Sequence, residues 1–490
     1  MTAQVRIVHF NESYVKIVCN IDIFKELHER YTFRAENYRF HPKYKAGVLD
    51  GYIKMFKYNE RLAPKGLVPD IIDYLTDAEY TFELDASFRR YKEGIDFSWE
   101  SLNLPFKPHD YQEKAIDVCL RKKRQIILSA TGSGKSLIVY SLVRALENAT
   151  EGKILICVPT ISLVEQIYND FIDYSKDNGW VTEMVCQKST DTDVKKFNKK
   201  VLITTWQSVY RKGEDFFSQF EAVIVDEVHT AAAECLNGIL NKSVNAFFRF
   251  GLTGTLDDSK TNEMNLKAAI GPATRVSSTS ELMDRGILTP LKIVGIVIKH
   301  PPEIAKTVYG LSYKDEYNYI VTNTKRNSMI AAMADRCNGN TLVLFRLVEK
   351  HGKPLFNKIK ETVGNRKQVV MVYGGTEVEQ RENVRKICET HDNIVIVASE
   401  AIFSTGVNIK NLMNIIFAGP TKSKIKILQS IGRGLRKLEG KEICTVYDIA
   451  DDFRSGKKSP NTTLNHFLER VKIYTREKFN FTIREVIWTI

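Results

Sequence analysis

The chain has 490 residues, of which 43% are hydrophobic and 27% charged, and its formal net charge at pH 7 is +12. This balance is typical of a folded protein, and the length predicts about three to four domains. No apolar stretch approaches the ~20 residues of a membrane-spanning helix, and the start lacks a signal-peptide layout, so we expect a cytoplasmic protein. The cysteines form no CxxC pair, which argues against disulfides and zinc. The basic surplus favours polyanionic partners.

The N-terminal part predicts a small α+β domain of short strands and helices. Its residues 38–66 combine aromatic and basic side chains with Gly and Pro turn signals. Two interpretations stay open. The cations could follow the backbone of a nucleic-acid duplex, or the stretch could be a half-buried strand pair with aromatics inward and cations outward. The candidate contacts are Arg39, Lys43, Lys45, Lys54 and Lys57.

From about residue 108 the pattern changes to apolar β-branched runs, such as RQIILS, KILICVP and AVIVDE, that alternate with amphipathic helical segments. This alternation is typical of a parallel sheet with crossover helices. A less regular stretch follows, and a second series then begins with NTLVLF, NIVIVAS and ICTVYDI. The tail carries a nearly helical apolar stripe from Leu464 to Tyr474.

The predicted fold class is therefore α/β, with two parallel-sheet domains and the small N-terminal domain. The predicted domain limits are 1–100 for the N-terminal domain, 101–285 and 329–455 for the two parallel-sheet domains, 286–328 for a connecting region, and 456–490 for a C-terminal helix that packs on the core.

A phosphate-binding loop is predicted at residues 130–136, where the strand RQIILS runs into ATGSGKS and then into a helical segment. Glycines let backbone N–H groups wrap phosphates, and the helix N-terminus adds partial positive charge. Lys135 is expected to reach the β- and γ-phosphates of ATP, and the Ser136 hydroxyl to ligate Mg²⁺. The strict pattern has glycine where this chain has Ser129. The predicted ATP-binding residues of the loop are Thr131, Gly132, Ser133, Gly134, Lys135 and Ser136.

A catalytic acid pair is predicted in AVIVDEVH, residues 222–229, where an apolar strand ends in two carboxylates. Asp226 at the strand end is expected to hold Mg²⁺. Glu227 is the natural general base for the attacking water. Two adjacent acids are ordinary by themselves. An apolar run straight into Asp-Glu, downstream of a phosphate-binding loop, is much more specific.

Further motifs appear in the order found in superfamily 2 helicases, which the chain resembles from about residue 108 to 450. This resemblance implies that the two α/β domains are tandem RecA-like domains. The matching segments are Tyr111–Gln112 for the adenine-reading Gln motif, VPTISLVEQ (158–166) for motif Ia, TTWQS (204–208) for the next backbone-contacting motif, GLTGT (251–255) for motif III, TLVLF (341–345) for motif IV, VASEAIFSTGVNI (397–409) for motif V and QSIGRGLRK (429–437) for motif VI.

The resemblance also assigns the remaining nucleotide contacts. Gln112, Gly406 and Gln429 are candidates for ATP binding. Arg436 is the candidate arginine finger, with Arg433 as its alternative, because a transition state with extra phosphoryl charge gains from a cation delivered on closure. Motif V departs from the family pattern, since an acid is common where this chain has Asn408. The candidates for coupling the ATP site to the nucleic-acid site are His229, Thr253 and Thr255.

Motifs Ia, IV and V imply contacts with the nucleic-acid backbone rather than with bases, because N–H groups and hydroxyls at helix starts suit phosphates. Core packing remains an equal interpretation for Trp206. The candidate residues are Thr160, Thr205, Trp206, Arg346, Gly374 and Ser399.

A narrower resemblance covers nearly the whole chain. YRFHPKYKAGVLDGYIKMFKYNERLAPKGLVPDI, FGLTGTLDD, IFSTGVNIKNL, KSKIKILQSIGRGLRK and EKFNF resemble the phage UvsW recombination helicases. This implies a monomeric DNA motor in the host cytoplasm that serves replication, recombination and repair. It would regress forks, migrate Holliday junctions and unwind D-loops or R-loops with 3′-to-5′ movement, using an N-terminal double-strand-binding domain.

Three alternatives stay open. A restriction or nuclease motor shares the same core but needs a second catalytic centre. Pro69–Asp70 with Glu83-Leu84-Asp85 comes nearest to a nuclease motif, and its lysine is missing. An RNA helicase is a further alternative, because a contact to the 2′-hydroxyl cannot be identified in these motifs. A non-catalytic binding protein conflicts with intact Lys135, Glu227 and Arg436.

Overall fold

The chain was analysed as a computed structural model. The described residues are 3–35, 38–40, 42–89, 94–188, 197–230, 233–256, 259–401, 409, 411–421, 431–432, 434–435, 437, 440–454 and 459–488. The protein consists of two compact units: residues 1–129 with 134–276, and residues 130–133 with 277–490. Among the described helices, none is long and apolar enough to cross a membrane.

The first unit begins with a small α+β module. Its elements are β1 (Val5–His9), β2 (Tyr14–Cys19), α1 (Ile21–Arg30), β3 (Thr32–Arg34), α2 (Pro42–Lys45), β4 (Tyr52–Lys54), β5 (Leu62–Pro64), α3 (Val68–Asp77) and β6 (Phe82–Leu84). A four-stranded sheet has the order β5-β2-β1-β6, and β3 and β4 form a separate two-stranded sheet. In the larger sheet, alternate residues of β1 and β2 are buried, as expected for strands covered on one face. The Asn20 side chain caps α1 by accepting a hydrogen bond from the Ile23 N–H.

A seven-stranded parallel sheet forms the rest of the first unit. Its strands are β7 (Arg124–Leu128), β8 (Lys153–Val158), β9 (Val185–Lys188), β10 (Val201–Thr205), β11 (Phe220–Asp226), β12 (Phe248–Thr253) and β13 (Ala273–Arg275). The helices are α4 (Asp110–Lys122), α5 (Lys135–Leu146), α6 (Ile161–Tyr174), α7 (Trp180–Met184), α8 (Trp206–Val209), α9 (Glu214–Phe217), α10 (Ala233–Leu240) and α11 (Lys260–Ala269). The order is β13-β7-β12-β11-β8-β10-β9. Central strands such as β8 and β10 are buried almost throughout, as helices on both faces require.

A buried polar seam joins the N-terminal module to this sheet. Arg249 of β12 is 1% exposed and donates a hydrogen bond of 2.8 Å to the Ser13 hydroxyl. Ser13 in turn donates to the Leu240 carbonyl at 3.0 Å. Within the module, Lys65 and Glu12, both buried, form an ion pair of 2.6 Å, and the Glu12 carbonyl accepts a hydrogen bond of 2.8 Å from Arg124 of β7. Because buried polar groups must be satisfied, this seam ties the module firmly to the sheet.

The second unit contains another seven-stranded parallel sheet. Its strands are β14 (Leu291–Lys299), β15 (Thr341–Phe345), β16 (Gln368–Val372), β17 (Ile394–Ser399), β18 (Asn414–Phe417), β19 (Cys444–Asp452) and β20 (Asn480–Ile487). Its described helices are α12 (Thr279–Asp284), α13 (Pro302–Val308), α14 (Tyr313–Thr322), α15 (Thr324–Arg336), α16 (Lys353–Val363), α17 (Val378–Thr390) and α18 (Thr462–Arg476). The order is β16-β17-β15-β18-β19-β14-β20. The predicted α/β class with a small α+β N-terminal domain is therefore confirmed.

Two segments of the second unit differ from their sequence-based description. The stretch predicted as a connecting region, 286–328, supplies β14, which pairs with β19 over nine residues from Leu291 opposite Cys444. The tail continues past its predicted helix into β20, which pairs with β14 at the sheet edge. Both segments are therefore structural parts of the second sheet.

Buried ion pairs fix the C-terminal helix to this sheet. Arg470 of α18 makes two hydrogen bonds of 2.8 Å to the carboxylate of Asp448 on β19, and both side chains are at most 1% exposed. Tyr474 donates to the same carboxylate at 2.8 Å. On the same strand, Asp451 pairs with Arg326 at 3.0 Å. Each charged group of these two ion pairs thus has a partner of opposite charge, which offsets the cost of its burial.

Candidate active site and nucleic-acid interface

The phosphate-binding loop lies between β7 and α5. Gly132 and Gly134 have φ values of 84° and 75°, in the left-handed region that glycine adopts without strain. A Cβ at Gly134 would come within 2.6 Å of the Gln112 amide nitrogen, so the Gln112 side chain would have to shift if another residue stood here. Lys135 is the first residue of α5, as a phosphate-binding lysine at a helix N-terminus must be.

The sheet brings the acid pair to this loop. β12 separates β7 from β11, and parallel strands place their carboxyl ends at one edge. The Lys135 ammonium lies 3.7 Å from a carboxylate oxygen of Glu227. Glu227 itself has a φ of 48°, a conformation that costs a non-glycine residue energy and occurs often at functional sites. The predicted loop and acid pair therefore meet.

Asp226 is the buried acid of the pair, with 8% exposure. Burial raises the pKa of its carboxyl to about 7, and the charge of Glu227 adds to this effect while Lys135 opposes it. Its Oδ1 atom is buried without a hydrogen-bond partner among the described residues. A buried carboxylate oxygen in that condition suits a bound cation.

Oxygen donors at this place fit Mg²⁺. Asp226 offers a carboxylate and Ser136 a hydroxyl, which are the hard ligands that Mg²⁺ prefers. The Ser136 hydroxyl is hydrogen-bonded to the hydroxyl of Tyr174 at 2.9 Å. When the Ser136 hydroxyl donates this hydrogen bond, the lone pairs of its oxygen remain available to a cation. The residues present thus fit the expected ion.

The three predicted coupling residues form a chain of contacts in which Thr253 touches both His229 and Thr255. His229, whose side chain is 1% exposed, lies 3.5 Å from a Glu227 carboxylate oxygen. Its Nδ1 is hydrogen-bonded to the Thr253 hydroxyl. That hydroxyl also donates to the Thr255 carbonyl at 2.8 Å. A continuous chain of polar contacts therefore runs from the acid pair to the end of β12.

Gln112 lies against the phosphate-binding loop. Its side-chain oxygen accepts a hydrogen bond of 2.9 Å from the His109 N–H and so caps α4. Its nitrogen donates to the Gly134 carbonyl at 3.5 Å. The neighbouring Tyr111 is 3% exposed and belongs to the interior. Gln112 is itself only 4% exposed, and its side chain contacts the phosphate-binding loop at Gly134.

Two aromatic residues near the loop were missed by sequence reasoning. Tyr174, the last residue of α6, holds the Ser136 hydroxyl. Phe106 packs edge-on against Tyr174, with ring centroids 5.8 Å apart, and remains 47% exposed. Tyr174 follows no motif and lies 38 residues from Ser136, so the sequence held no signal for it. Phe106, in contrast, lies shortly before Gln112 in the chain, so its closeness to that motif was a signal that the sequence contained.

The nucleic-acid candidates of the first unit lie at neighbouring strand ends. Thr160 caps α6 by accepting a hydrogen bond from the Leu163 N–H. Thr205 ends β10 and pairs in register with Val158 of β8. Trp206 is 4% exposed and packs within the hydrophobic core, which favours the core interpretation of its side chain. The threonines thus share one edge of the sheet.

The candidates of the second unit also share one edge. β16, β17 and β15 are adjacent, and Arg346, Gly374 and Ser399 lie at or just after their carboxyl ends. Arg346 is exposed and donates a hydrogen bond of 3.1 Å to the Tyr313 hydroxyl. Ser399 is 6% exposed. The structure therefore places these three residues at the same edge of the second sheet.

The remaining predicted residues divide into two sets. Arg433, Arg436, Gln429 and Gly406 lie outside the described residues, as does the side chain of Lys43. In the N-terminal module, Arg39, Lys45 and Lys54 are exposed, and Lys54 forms an ion pair of 2.7 Å with Asp50.

The residues nearest to a nuclease motif do not form a metal site. Asp70 on α3 pairs with Lys267 at 2.6 Å, and Glu83 on β6 pairs with Arg6 at 3.5 Å. Among the described parts of the chain, no group of three or more His, Cys, Asp or Glu side chains could hold a metal ion. Asp70 and Glu83 thus each lie beside a cationic side chain.

Three family models match successive parts of the chain. The N-terminal model of DNA helicase UvsW matches residues 4–85, and the model of the type III restriction enzyme res subunit matches residues 105–258. The helicase conserved C-terminal domain matches residues 324–437. The matches follow the order of the N-terminal module, the first parallel sheet and the second.

Individual relatives agree. The ATP-dependent DNA helicase uvsW of Enterobacteria phage T4 is 36% identical over 501 residues, covering 98% of this chain and 99% of the relative. The crystal structure of T4 UvsW matches with a TM-score of 0.50 and 31% identity over 99% of both chains. The DNA 3′-5′ translocase XPB2 of Sulfurisphaera tokodaii is 25% identical over 67% of this chain and 78% of its own. The chain belongs to the UvsW family of superfamily 2 helicases.

Proposed function

We propose that this protein is an ATP-dependent DNA helicase that remodels branched DNA. The observation that carries the proposal is the 36% identity to the phage T4 helicase over 98% of the chain, which includes the N-terminal module as well as the two motor sheets. The proposed activities are fork regression, Holliday-junction migration and unwinding of D-loops and R-loops during phage replication, recombination and repair. The 3′-to-5′ direction is supported by the DNA 3′-5′ translocase XPB2 of Sulfurisphaera tokodaii among the relatives.

The ATP site is proposed to work through residues that the first unit brings together. Lys135 binds the β- and γ-phosphates, and Gln112 reads the adenine. Ser136 and Asp226 would hold Mg²⁺, which when bound neutralises phosphate charge. Glu227, 3.7 Å from Lys135, accepts the proton of the attacking water. Arg436, or Arg433, adds positive charge at the γ-phosphate.

The contacts from His229 to Thr253 and Thr255 are proposed to report the nucleotide state to the DNA-binding edge. They begin at the catalytic Glu227 and end beside β12. A polar chain of this kind can shift when the γ-phosphate leaves. The proposed DNA contacts are Thr160, Thr205, Arg346, Gly374 and Ser399 along the motor, and Arg39, Lys43, Lys45 and Lys54 in the N-terminal module.

The proposed setting is the cytoplasm of an infected bacterium, with the protein acting on DNA as a monomer. The proposed limits of the N-terminal domain and the first parallel-sheet domain are those predicted from the sequence, 1–100 and 101–285. The second parallel-sheet domain is proposed to extend over 286–490, because β14 and β20 belong to its sheet. The boundary near residue 285 is supported by the two compact units, which divide at residue 276.

The test is strand displacement and ATP turnover by the purified protein on single strands, linear duplexes, forks and four-way junctions. We expect faster displacement on forks and junctions than on linear duplexes with an overhang. Lys135→Ala is the control for contaminating activities and should displace nothing. Strand displacement without a preference for branched substrates would agree with a helicase activity but would contradict the proposed role in remodelling branched DNA.

A restriction motor is the second candidate, because the match to the type III restriction res subunit covers residues 105–258. This role would need a nuclease centre or a nuclease subunit. Incubation of supercoiled plasmid with the protein, ATP and Mg²⁺ separates the two functions. We expect no cutting, and cutting that Lys135→Ala abolishes would favour the restriction role.

A further inference from the structure

A cavity of about 470 Å³ lies beside the carboxyl end of β15 in the second unit, between α14 and the π-helical turn that follows β15. Two tyrosines of α14, Tyr313 and Tyr317, line the cavity together with Leu347 and Val348. Its volume is within the range of about 300–1,000 Å³ that is typical of sites for small organic groups. The cavity therefore has the size and the apolar lining of a binding site.

The aromatic lining of this cavity is held in place by its own contacts. Tyr317 is 4% exposed, and its ring centroid lies 5.9 Å from that of Tyr313. Arg346 donates a hydrogen bond of 3.1 Å to the Tyr313 hydroxyl, and its guanidinium lies 5.8 Å from the centroid of the Tyr317 ring. Because these rings are already ordered, a bound group costs little side-chain entropy.

Cationic side chains are part of the same lining. Lys314, Arg346 and Lys350 line the cavity and are exposed. The acid among its described lining residues, Glu349, forms an ion pair of 2.7 Å with Lys353. An apolar cavity among cations is complementary to a flat apolar group that is attached to an anion. A nucleobase on its phosphate backbone is such a group.

We propose that this cavity, which we name the base pocket, binds one unpaired base of single-stranded DNA while Arg346 binds an adjoining phosphate. The inference rests on the proposed function and deepens it, since Arg346 is one of the proposed DNA contacts. Gly374 and Ser399 lie at the same edge, at or after the ends of the two neighbouring strands. A strand that follows this edge to Arg346 therefore comes to the base pocket.

The base pocket explains how the second sheet distinguishes single-stranded from duplex DNA. Phosphate contacts alone bind both forms. In a duplex the bases are paired and stacked, so only an unpaired base can enter the pocket. Tyrosine rings stack on every base, since every base has a π-face, and the pocket therefore has no need of a particular sequence.

A further consequence is that the base pocket favours separated strands, because a base held in it cannot pair with the complementary strand. A peptide of a protein partner fits the pocket less well. Lysine is depleted in protein interfaces, whereas two lysines line this cavity.

The experiment measures the DNA affinity of full-length variants by fluorescence anisotropy without nucleotide. The probes are a single strand of thymidines, a strand of equal length with abasic sites instead, and a linear duplex. Tyr313→Ala removes part of the pocket, and Tyr313→Phe keeps the ring but removes the hydroxyl that Arg346 contacts. The matched control is Tyr319→Ala, since Tyr319 is a half-buried tyrosine of the same helix that packs on Phe453 and does not line the cavity. Thermal unfolding midpoints confirm that the variants fold.

We expect Tyr313→Ala to lose about tenfold in affinity for the thymidine strand, and less than about twofold for the abasic strand and the duplex. Tyr313→Phe and Tyr319→Ala should remain within about twofold of the wild type on all three probes.

A second measurement needs no substitution. Wild-type protein is irradiated on a single strand that carries 5-iododeoxyuridine in place of thymidine, and the linked peptide is identified by mass spectrometry. We expect the crosslink at Tyr313 or Tyr317, and its absence with the corresponding duplex.

Equal losses of Tyr313→Ala on all three probes would overturn the inference, because Tyr313 would then act only by positioning Arg346. Unchanged affinity for the thymidine strand, as expected of a docking site for a protein, would also overturn it, and so would crosslinks that all lie outside α14 and the turn after β15. Failure of the proposed function is separate: it would appear as wild-type protein that prefers the thymidine strand to the abasic strand but displaces no strand with ATP.

Discussion

In the first parallel sheet, β7 and β11 end in the phosphate-binding loop and the acid pair, whereas β15, β16 and β17 of the second sheet end in Arg346, Gly374 and Ser399. Both sheets have seven parallel strands. The carboxyl edge of the first sheet carries a lysine, two acids and a histidine in contact, which is the chemistry of phosphate hydrolysis. The described part of the same edge in the second sheet presents an arginine, a glycine and a hydroxyl.

This difference shows how one fold can serve two tasks. Parallel strands collect side chains at one edge, and the residues placed there decide whether the edge performs catalysis or binds a polymer. The two edges should therefore respond differently to substitution. Three variants test that separation, and a fourth tests the buried ion pair between Asp448 and Arg470.

The largest effect is expected from Lys135→Ala in the first sheet. The variant loses the cation at the phosphates, so DNA-stimulated ATP hydrolysis should fall by about 10³-fold or more. DNA affinity without nucleotide should stay within about twofold. Steady-state ATP turnover and fluorescence anisotropy measure the two quantities. Normal hydrolysis would show that the catalytic edge is misassigned.

The next largest effect is expected on stability, from the buried ion pair between Asp448 and Arg470 in the second unit. Asp448→Asn leaves Arg470 buried without its charge partner, which should lower stability by about 3–5 kcal/mol. This predicts a clear fall in the unfolding temperature of that unit by scanning calorimetry. Glu469→Gln is the control, because its ion pair with Lys472 is exposed and should contribute less than about 1 kcal/mol. If the two variants lowered the unfolding temperature equally, the buried ion pair would not have the stabilising role that we assign to it.

A smaller effect is expected from Arg346→Ala at the carboxyl edge of the second sheet. Loss of one phosphate contact should weaken single-strand binding about tenfold and reduce the salt dependence by roughly one ion. The control is Arg366→Ala, since this exposed arginine lies before β16, at the opposite edge. If both variants bind alike, the carboxyl edge has no special part in DNA binding.

The smallest effect is expected from Tyr174→Phe, which removes the hydroxyl that holds Ser136. The Mg²⁺ concentration for half-maximal ATP turnover should rise a few fold, because the serine is less well oriented. Tyr140→Phe is the matched control: its ring packs against Tyr174, with centroids 5.5 Å apart, but its hydroxyl accepts from Arg144. An unchanged Mg²⁺ requirement in Tyr174→Phe would exclude a positioning role.

Local sequence patterns were sufficient for most strands of the two parallel sheets and for the positions of the phosphate-binding loop and the acid pair after their strands. The apolar run into Asp226 and Glu227 and the glycine loop before Lys135 each form within one strand–turn unit. Their meeting follows from the general property that parallel strands end at one edge. The α/β class was predictable because the alternation of apolar runs and amphipathic helical segments is also a local pattern.

Features that depend on distant pairing were not predictable. β14 pairs with β19, which follows some 150 residues later in the chain. β20 is a mostly exposed edge strand with a weak apolar pattern. The seam through Arg249 and Ser13 joins residues 236 positions apart. Such contacts leave no local periodicity, since their partners are chosen by the tertiary fold.

The most direct test of the central claim is ATP-driven strand displacement on a fork compared with a linear duplex that has a 3′ overhang and the same duplex length. The wild-type protein should displace the fork strand at least several times faster, and Lys135→Ala should displace neither. Equal wild-type rates on the two substrates, or no ATP-dependent displacement of the fork, would contradict the account.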